Sequence, residues 1–197
     1  SSVNARTVYV CAFGKGVYKS EDGGKTWKQK NKGINIAEPF AWRLTRRPQD
    51  GALFLVVSRR SEDGSIGNDL DGALYVSKDG AESWTKLNLP KGTNGPTTLV
   101  IDENDPKQLL LSAWGLKSNE KHVGDIGGGI FLSRDEGANW QKVFDADQHI
   151  SAISYDKRSK TYFTTGFGGG AYASNNKGQS WSRIPGFNFK WSHRVEP

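Results

Sequence analysis

The chain has 197 residues, with 27 Lys and Arg against 21 Asp and Glu and a formal net charge of +6. The basic residues are scattered apart from RLTRR (43–47) and the nearby SRR (58–60), and no nucleic-acid-binding motif accompanies them. A solvated basic surface is therefore expected and no nucleic-acid partner; nor does any apolar run approach the ~20 residues of a membrane helix, so no membrane insertion is expected.

The first predicted element is the strand TVYVCAF (7–13). It carries Cys11, the single cysteine, which excludes an internal disulfide and a zinc cluster built on cysteines. Its setting predicts a small buried apolar side chain. The chain contains no methionine, so SSVNARTVYV is not a translation start, and a processed product or a piece of a longer protein is expected. A glycine-led strand, GKGVYKS (14–20), then runs into SEDGGKTW (20–27).

The same order returns three times. FAWRLTRRP (40–48), ALFLVVS (52–58) and DGALYVS (71–77) lead to SKDGAESW (77–84) and then TKLNL (85–89). TTLVIDENDP (97–106), QLLLSAW (108–114) and GGGIFLS (127–133) lead to SRDEGANW (133–140) and QKVFD (141–145). ISAISYDKR (150–158), TYFTTGF (161–167) and GGGAYAS (168–174) lead to SNNKGQSW (174–181). The last stretch, FKWSHRVEP (189–197), parallels FAWRLTRRP. One unit is thus strand A, strand B, strand C, the box and strand D. Four antiparallel strands repeated at about 40–50 residues are the signature of β-propeller blades.

The box reads as a hairpin staple. Asp22, Asp79 and Asp135 accept hydrogen bonds from nearby backbone N–H groups, and the serines Ser20, Ser77, Ser133 and Ser174 do likewise. Gly24, Gly137 and Gly178 supply a backbone conformation that a Cβ penalises. Trp27, Trp84, Trp140 and Trp181 fold back over apolar area between strands. Three departures predict looser turns: Ala81 in place of glycine, Asn176 in place of aspartate, and Asn139 where Thr or Ser is usual.

These four segments resemble the Asp-boxes, or BNR repeats, of sialidases, xyloglucan-type glycoside hydrolases, sortilin-type receptors and a photosystem assembly factor. The resemblance spans the whole chain. It implies an all-β fold: a β-propeller segment of about four four-stranded Asp-box blades, part of a larger propeller. The expected division is a partial blade at 1–33, blades at 34–90, 91–147 and 148–186, and the start of a further blade at 187–197. The remaining blades are expected from missing sequence or from another chain.

In the families this resembles, ligands bind on the rim of B–C loops and D–A links, opposite the boxes. Two B–C loops are long, 58–72 and 113–129, and long loops on a rigid scaffold tend to carry function. Glycan chemistry needs aromatic planes and a pair of carboxylates flanking the scissile bond. Trp42, Trp114 and Trp191 are candidate planes, with inter-blade packing the alternative for Trp42 and Trp191. Asp71 and Asp125 are candidate catalytic carboxylates, with turn formation as the competing role, and Asp69 is a third acid there. Arg43, Arg59, His122, His193 and Arg194 are candidate substrate-binding residues.

A sialidase site fits poorly. SRIPG (182–186) looks like that family's arginine motif but follows the fourth box directly, and the other parts do not assemble. No cofactor is expected beyond a possible calcium held by Asp63, Asp69 and Asp71, which lack a recognised calcium-loop spacing. His122, His149 and His193 show no metal-ligand spacing. Two functions follow from the resemblance. One is a secreted or periplasmic carbohydrate-active protein with a glycan ligand. The other is a non-catalytic protein-interaction propeller of the sortilin or assembly-factor type.

Overall fold

The computed structural model describes residues 6–59, 72–115, 127–145, 149–167, 170–187 and 189. Asp63, Asp69, Asp71, His122, Asp125, Trp191, His193 and Arg194 lie outside them. Among the described residues there are only strands and turns, and no helix long and apolar enough to cross a membrane. The chain divides into two compact units, Ser1–Leu87 and Asn88–Pro197.

The first unit holds two sheets. Sheet 1 contains β1 (Val8–Ala12), β2 (Gly16–Ser20) and β3 (Lys28–Gln29), and sheet 2 contains β4 (Ala41–Arg46), β5 (Leu53–Val57), β6 (Ala73–Ser77) and β7 (Thr85–Leu87). The second unit holds two more. Sheet 3 contains β8 (Thr93–Ile101), β9 (Leu109–Gly115), β10 (Gly129–Ser133) and β11 (Gln141–Asp145). Sheet 4 contains β12 (His149–Asp156), β13 (Thr161–Phe167), β14 (Ala171–Ser174) and β15 (Ser182–Arg183). Every sheet is an antiparallel meander of chain neighbours.

Register follows the box. Its serine pairs with the start of strand B: Ser20 with Val8, Ser77 with Leu53, Ser133 with Leu109 and Ser174 with Tyr162. Period-2 alternation then gives each sheet two faces. In the first unit, Tyr9, Cys11 and Val17 of sheet 1 pack against Leu53, Leu55, Val57 and Tyr75 of sheet 2. In the second, Leu110, Ile130 and Leu132 of sheet 3 pack against Ile150, Ile153 and Tyr162 of sheet 4. Each fully buried Leu or Ile contributes roughly 1.5–3 kcal/mol, so face-to-face sheet packing is the main source of cohesion in each unit.

The box turns are closed by side chains. In the first, Ser20 Oγ donates to Asp22 Oδ1 at 2.8 Å and accepts from Gly24 N at 2.8 Å. Asp22 in turn accepts from the N–H groups of Lys25 and Thr26 and from the Thr26 hydroxyl. The departures do not loosen the other turns. Asn139 replaces a hydroxyl donor with its amide, 2.7 Å from Asp135 Oδ2. Asn176 accepts from Ser174 Oγ and Ser180 N as an aspartate does, and reverses one bond by donating Nδ2 to Ser180 Oγ. Ala81 adopts φ 70°, beside 92° at Gly24 and 90° at Gly137. That conformation costs an L-residue about 1–2 kcal/mol, and burial of the methyl group in the first unit's core returns about 0.8 kcal/mol.

The tryptophans are not all covered. Trp84 is buried at 4 % exposure, whereas Trp27 remains 40 % exposed. The indole of Trp84 donates to Lys30 O at 2.8 Å, on the chain leaving sheet 1, while that of Trp27 donates to Gly24 O within its own turn at 3.0 Å.

Candidate functional site

The B–C turns and D–A links lie at the sheet ends opposite the boxes. In the first unit, the β1–β2 turn is tied to the link that enters sheet 2. Gly14 N donates to Pro39 O at 3.1 Å, and Phe13 bridges Phe40. This brings three rings into nearly parallel planes. Phe13 lies 3.9 Å from Phe40 with an interplanar angle of 14°, and 5.4 Å from Trp42 with an angle of 8°. Phe40 is the buried base of the stack, Trp42 is half-buried, and Phe13 is 52 % exposed.

A β-bulge aims Trp42. The pairing of β4 with β5 shifts register between Ala41 and Arg43, and strand A carries the same irregularity at Thr97 in β8 and at Ser151 in β12. Such an extra residue bends the strand and re-aims a side chain. Arg43 follows directly, and its guanidinium carbon stands 6.0 Å from the Trp42 ring centroid, within range of a cation–π contact. The result is an aromatic shelf with a cation at its margin. Flat apolar rings beside a hydrogen-bond donor suit a ligand with an apolar face and polar edges, which describes both a sugar ring and a peptide side chain.

The other described candidates are placed differently. Trp114, next to last in β9, is 8 % exposed, and its indole donates to Ile150 O at 3.1 Å. The hydroxyl of Thr97 donates to the same carbonyl at 3.0 Å, so both serve the bulge of β12. Arg59 is wholly buried at 0 % exposure, at the root of the first long loop. His149 opens β12. Asp71, Asp125, His122, Trp191, His193 and Arg194 are not among the described residues, and neither are Asp63 and Asp69 of the calcium reading. Among the described residues, no group of three His, Cys, Asp or Glu is arranged to hold a metal ion.

The perturbed carboxylates belong to the opposite rim. The Thr26 hydroxyl, the Thr26 N–H and the Ser20 hydroxyl hold Asp22 well below the usual carboxylate range. Ser83, through its hydroxyl and then its N–H, and Ser77 bring Asp79 down to about 2. Asp135 is lowered in the same way, chiefly by Asn139. These are permanent anions that hold turns, unsuited to proton transfer near neutral pH. Burial pushes the Cys11 thiol up to about 11, which makes it a packing residue and a poor nucleophile.

Phe13 was not singled out from the sequence. Its signal was nonetheless present: strand B ends in an aromatic in TVYVCAF, QLLLSAW and TYFTTGF.

Solved structures share this fold. An ancestral GH74 enzyme superposes with a TM-score of 0.67 at 19 % identity, covering 92 % of this chain and 22 % of the enzyme. This chain folds as β-propeller blades. The GH74 xyloglucanase from Xanthomonas campestris matches the blades with a TM-score of 0.64 at 19 % identity, over 92 % of this chain and 29 % of that one. YCF48 bound to D1 peptide matches with a TM-score of 0.60 at 16 % identity, over 91 % and 52 % respectively. In sequence, the human VPS10 domain-containing receptor SorCS2 is 27 % identical over 136 residues, 61 % of this chain and 11 % of the receptor. The propeller segment therefore spans about half or less of each of these proteins. No protein-family model matches it.

Proposed function

We propose that this propeller segment binds a polysaccharide on the rim of B–C turns and D–A links. The observation that carries this reading is the stack in which exposed Phe13 meets both Phe40 and half-buried Trp42, with Arg43 at its margin. The C–H face of a sugar packs on such rings, and the guanidinium serves its hydroxyl groups. The likeness to a xyloglucanase supports a plant-type β-glucan as the first ligand to try. If the chain also hydrolyses the glycan, Asp71 and Asp125 on the two long loops are the proposed carboxylates, one as acid and the other as base or nucleophile. His122, Trp191, His193 and Arg194 are the further proposed substrate contacts, whereas buried Arg59 and Trp114 support the rim from beneath. The proposed blades are 34–90, 91–147 and 148–186, with parts of blades at 1–33 and 187–197. A secreted or lumenal location accompanies this reading.

Calorimetry with xyloglucan oligosaccharides tests it. Binding is expected in the wild type and at least about tenfold weaker in Phe13→Ala and Trp42→Ala, because each removes a stacking plane worth about 1.4 kcal/mol or more. Equal binding by both variants would remove the stack from the site. Product release that persists unchanged in Asp71→Asn and Asp125→Asn would remove the carboxylate assignment.

A second reading is a non-catalytic protein-interaction propeller. It is favoured by the structure of YCF48 bound to D1 peptide, of which this chain covers 52 %. Peptide binding that depends on Phe13 and Trp42, with no glycan binding, would select it.

A further inference from the structure

We propose that the cleft between the β2–β3 hairpin and the second box binds an oxyanion group, a sulfate, phosphate or carboxylate, between Lys28 and Lys30. The cleft stands at the box end of sheet 1, opposite the rim of B–C turns. The proposal is independent of what that rim binds.

Residues 15–32 carry six lysines against Glu21 and Asp22. The fold gathers three of the lysines. The β2–β3 register sets Lys19 directly opposite Lys28, and period-2 alternation puts Lys30 on the same side as Lys28. Like charges directly opposite each other destabilise a strand pair. The arrangement therefore calls for an anion, and the second box supplies one. Glu82 reaches Lys30 Nζ at 2.5 Å and Lys19 Nζ at 3.2 Å, although it lies 52 and 63 residues further along the chain. Hydrogen bonds from Lys30 and then Lys19 hold its carboxyl below the usual carboxylate range. The site thus already binds one oxyanion, taken from its own chain.

That carboxylate leaves the site half filled. Lys19 is paired with Glu21 and Glu82, and Lys30 with Glu82, whereas Lys28 makes no ion pair among the described residues. Lys19, Glu21, Asp22, Thr26, Lys28 and Lys30 line a cleft of about 130 Å³. Asp22 is engaged by its own turn. Its Oδ1 accepts from the Ser20 hydroxyl and the N–H groups of Lys25 and Thr26, and its Oδ2 accepts from the Thr26 hydroxyl. Glu21 is committed to Lys19 at 3.0 Å. The charge left uncompensated in the cleft is that of Lys28, beside Lys30. An ammonium group is a point charge with three donors and no fixed plane, so it accepts tetrahedral and planar oxyanions alike. An oxyanion there does for Lys28 and Lys30 what Glu82 does for Lys19 and Lys30. Such a group occurs free in solution and as a substituent of an acidic polysaccharide.

Titrating the ¹⁵N-labelled chain with sodium sulfate at constant ionic strength tests this. Saturable shifts are expected at the amides of Thr26, Lys28 and Lys30, with a Kd on the order of 1–10 mM. Lys28→Gln should weaken binding ~5-fold or more. Lys25→Gln removes the same charge from the same hairpin outside the cleft and should leave the Kd unchanged. Glu82→Gln releases Lys19 and Lys30 from their internal carboxylate and should tighten sulfate binding ~3-fold or more, an effect that a purely structural ion pair does not predict. All three side chains are exposed, so the fold should persist in each variant. Dextran sulfate and neutral dextran separate the two sources. Lys28-dependent binding of the sulfated polymer that is tighter than binding of sulfate assigns the group to a polysaccharide, and equal affinity per sulfate assigns it to a free ion. Shifts that never saturate overturn the proposal. So does a Lys25→Gln chain that weakens as much as Lys28→Gln, or a Glu82→Gln chain with the wild-type Kd.

Discussion

The first and second boxes have nearly the same residues, and their tryptophans end in different places. Trp27 donates to a carbonyl of its own turn and stays 40 % exposed, whereas Trp84 donates to Lys30, on the chain leaving the preceding sheet, and is 4 % exposed. The fourth and third boxes repeat the contrast. Trp181 donates to Gly178 O at 3.2 Å, while Trp140 donates to Asn88 O at 2.9 Å. In all four turns the serine hydroxyl donates to the side-chain oxygen two residues on, an aspartate in the first three and Asn176 in the fourth. The box is thus a local device with one non-local member, and the tryptophan N–H reaches beyond its own turn where the tail of a preceding strand lies within its reach.

The strap under Trp84 gives the largest expected effect. Trp84 N donates to Lys32 O, and Gly33 at φ +92° would bring a Cβ to 2.1 Å from Trp84 O. Gly33→Ala therefore forces backbone apart and should cost more than about 3 kcal/mol in urea unfolding. Gly23→Ala has φ +79° but meets nothing within 4 Å, and it should cost only about 1–2 kcal/mol. Equal costs would mean that the strap contributes nothing.

Replacing the tryptophans sharpens the contrast at intermediate size. Trp84→Phe leaves the Lys30 carbonyl unpaired beneath buried surface, with an expected loss of about 2–3 kcal/mol. Trp27→Phe should lose less than about 1 kcal/mol, because water replaces its local hydrogen bond. Chemical denaturation of the two variants measures the difference, and equal losses would refute the division into local and non-local members.

The smallest effect separates the first three boxes from the fourth. Asp22, Asp79 and Asp135 have folded-state pKa values below their unfolded values, so their contribution is complete above about pH 4 and is lost as pH falls through the folded values, about 2 for Asp79. Asn176 does not titrate. A chain with all three aspartates changed to Asn should lose less stability between pH 7 and pH 3 than the wild type. An unchanged acid limb in denaturation curves would show that these exposed carboxylates contribute nothing to it.

Much of the fold was legible because its signals are local. Alternating apolar residues, the Ser–Asp pair and the glycine of the box each act within a few residues, so strand type and turn position could be read directly. The departures at Ala81, Asn139 and Asn176 were misjudged as loosening, because the substitute donors and acceptors fit only once the turn geometry is known. The rim was less legible. Arg59 reads as a substrate-binding candidate and is wholly buried, and Trp114 reads as a candidate stacking plane and is packed on the β12 bulge. Phe13 lies in the short turn between β1 and β2, where the turn's sequence alone carries no sign of a site. Its partners Phe40 and Trp42 lie about thirty residues away in sequence, and a bulge at Trp42 is defined only by the strand paired with it.

The sequence by itself determined four stapled hairpins and the all-β meanders that carry them, since each turn is closed by hydrogen bonds spanning no more than a few residues. Tertiary structure decided which face of each sheet is covered, which tryptophan bridges two sheets, and which aromatics meet on the rim. Those outcomes depend on the packing of sheets whose residues are distant in the chain. Val8 and Leu53 hold equivalent positions beside equivalent turns, and only the presence of a neighbouring sheet leaves one exposed and the other buried.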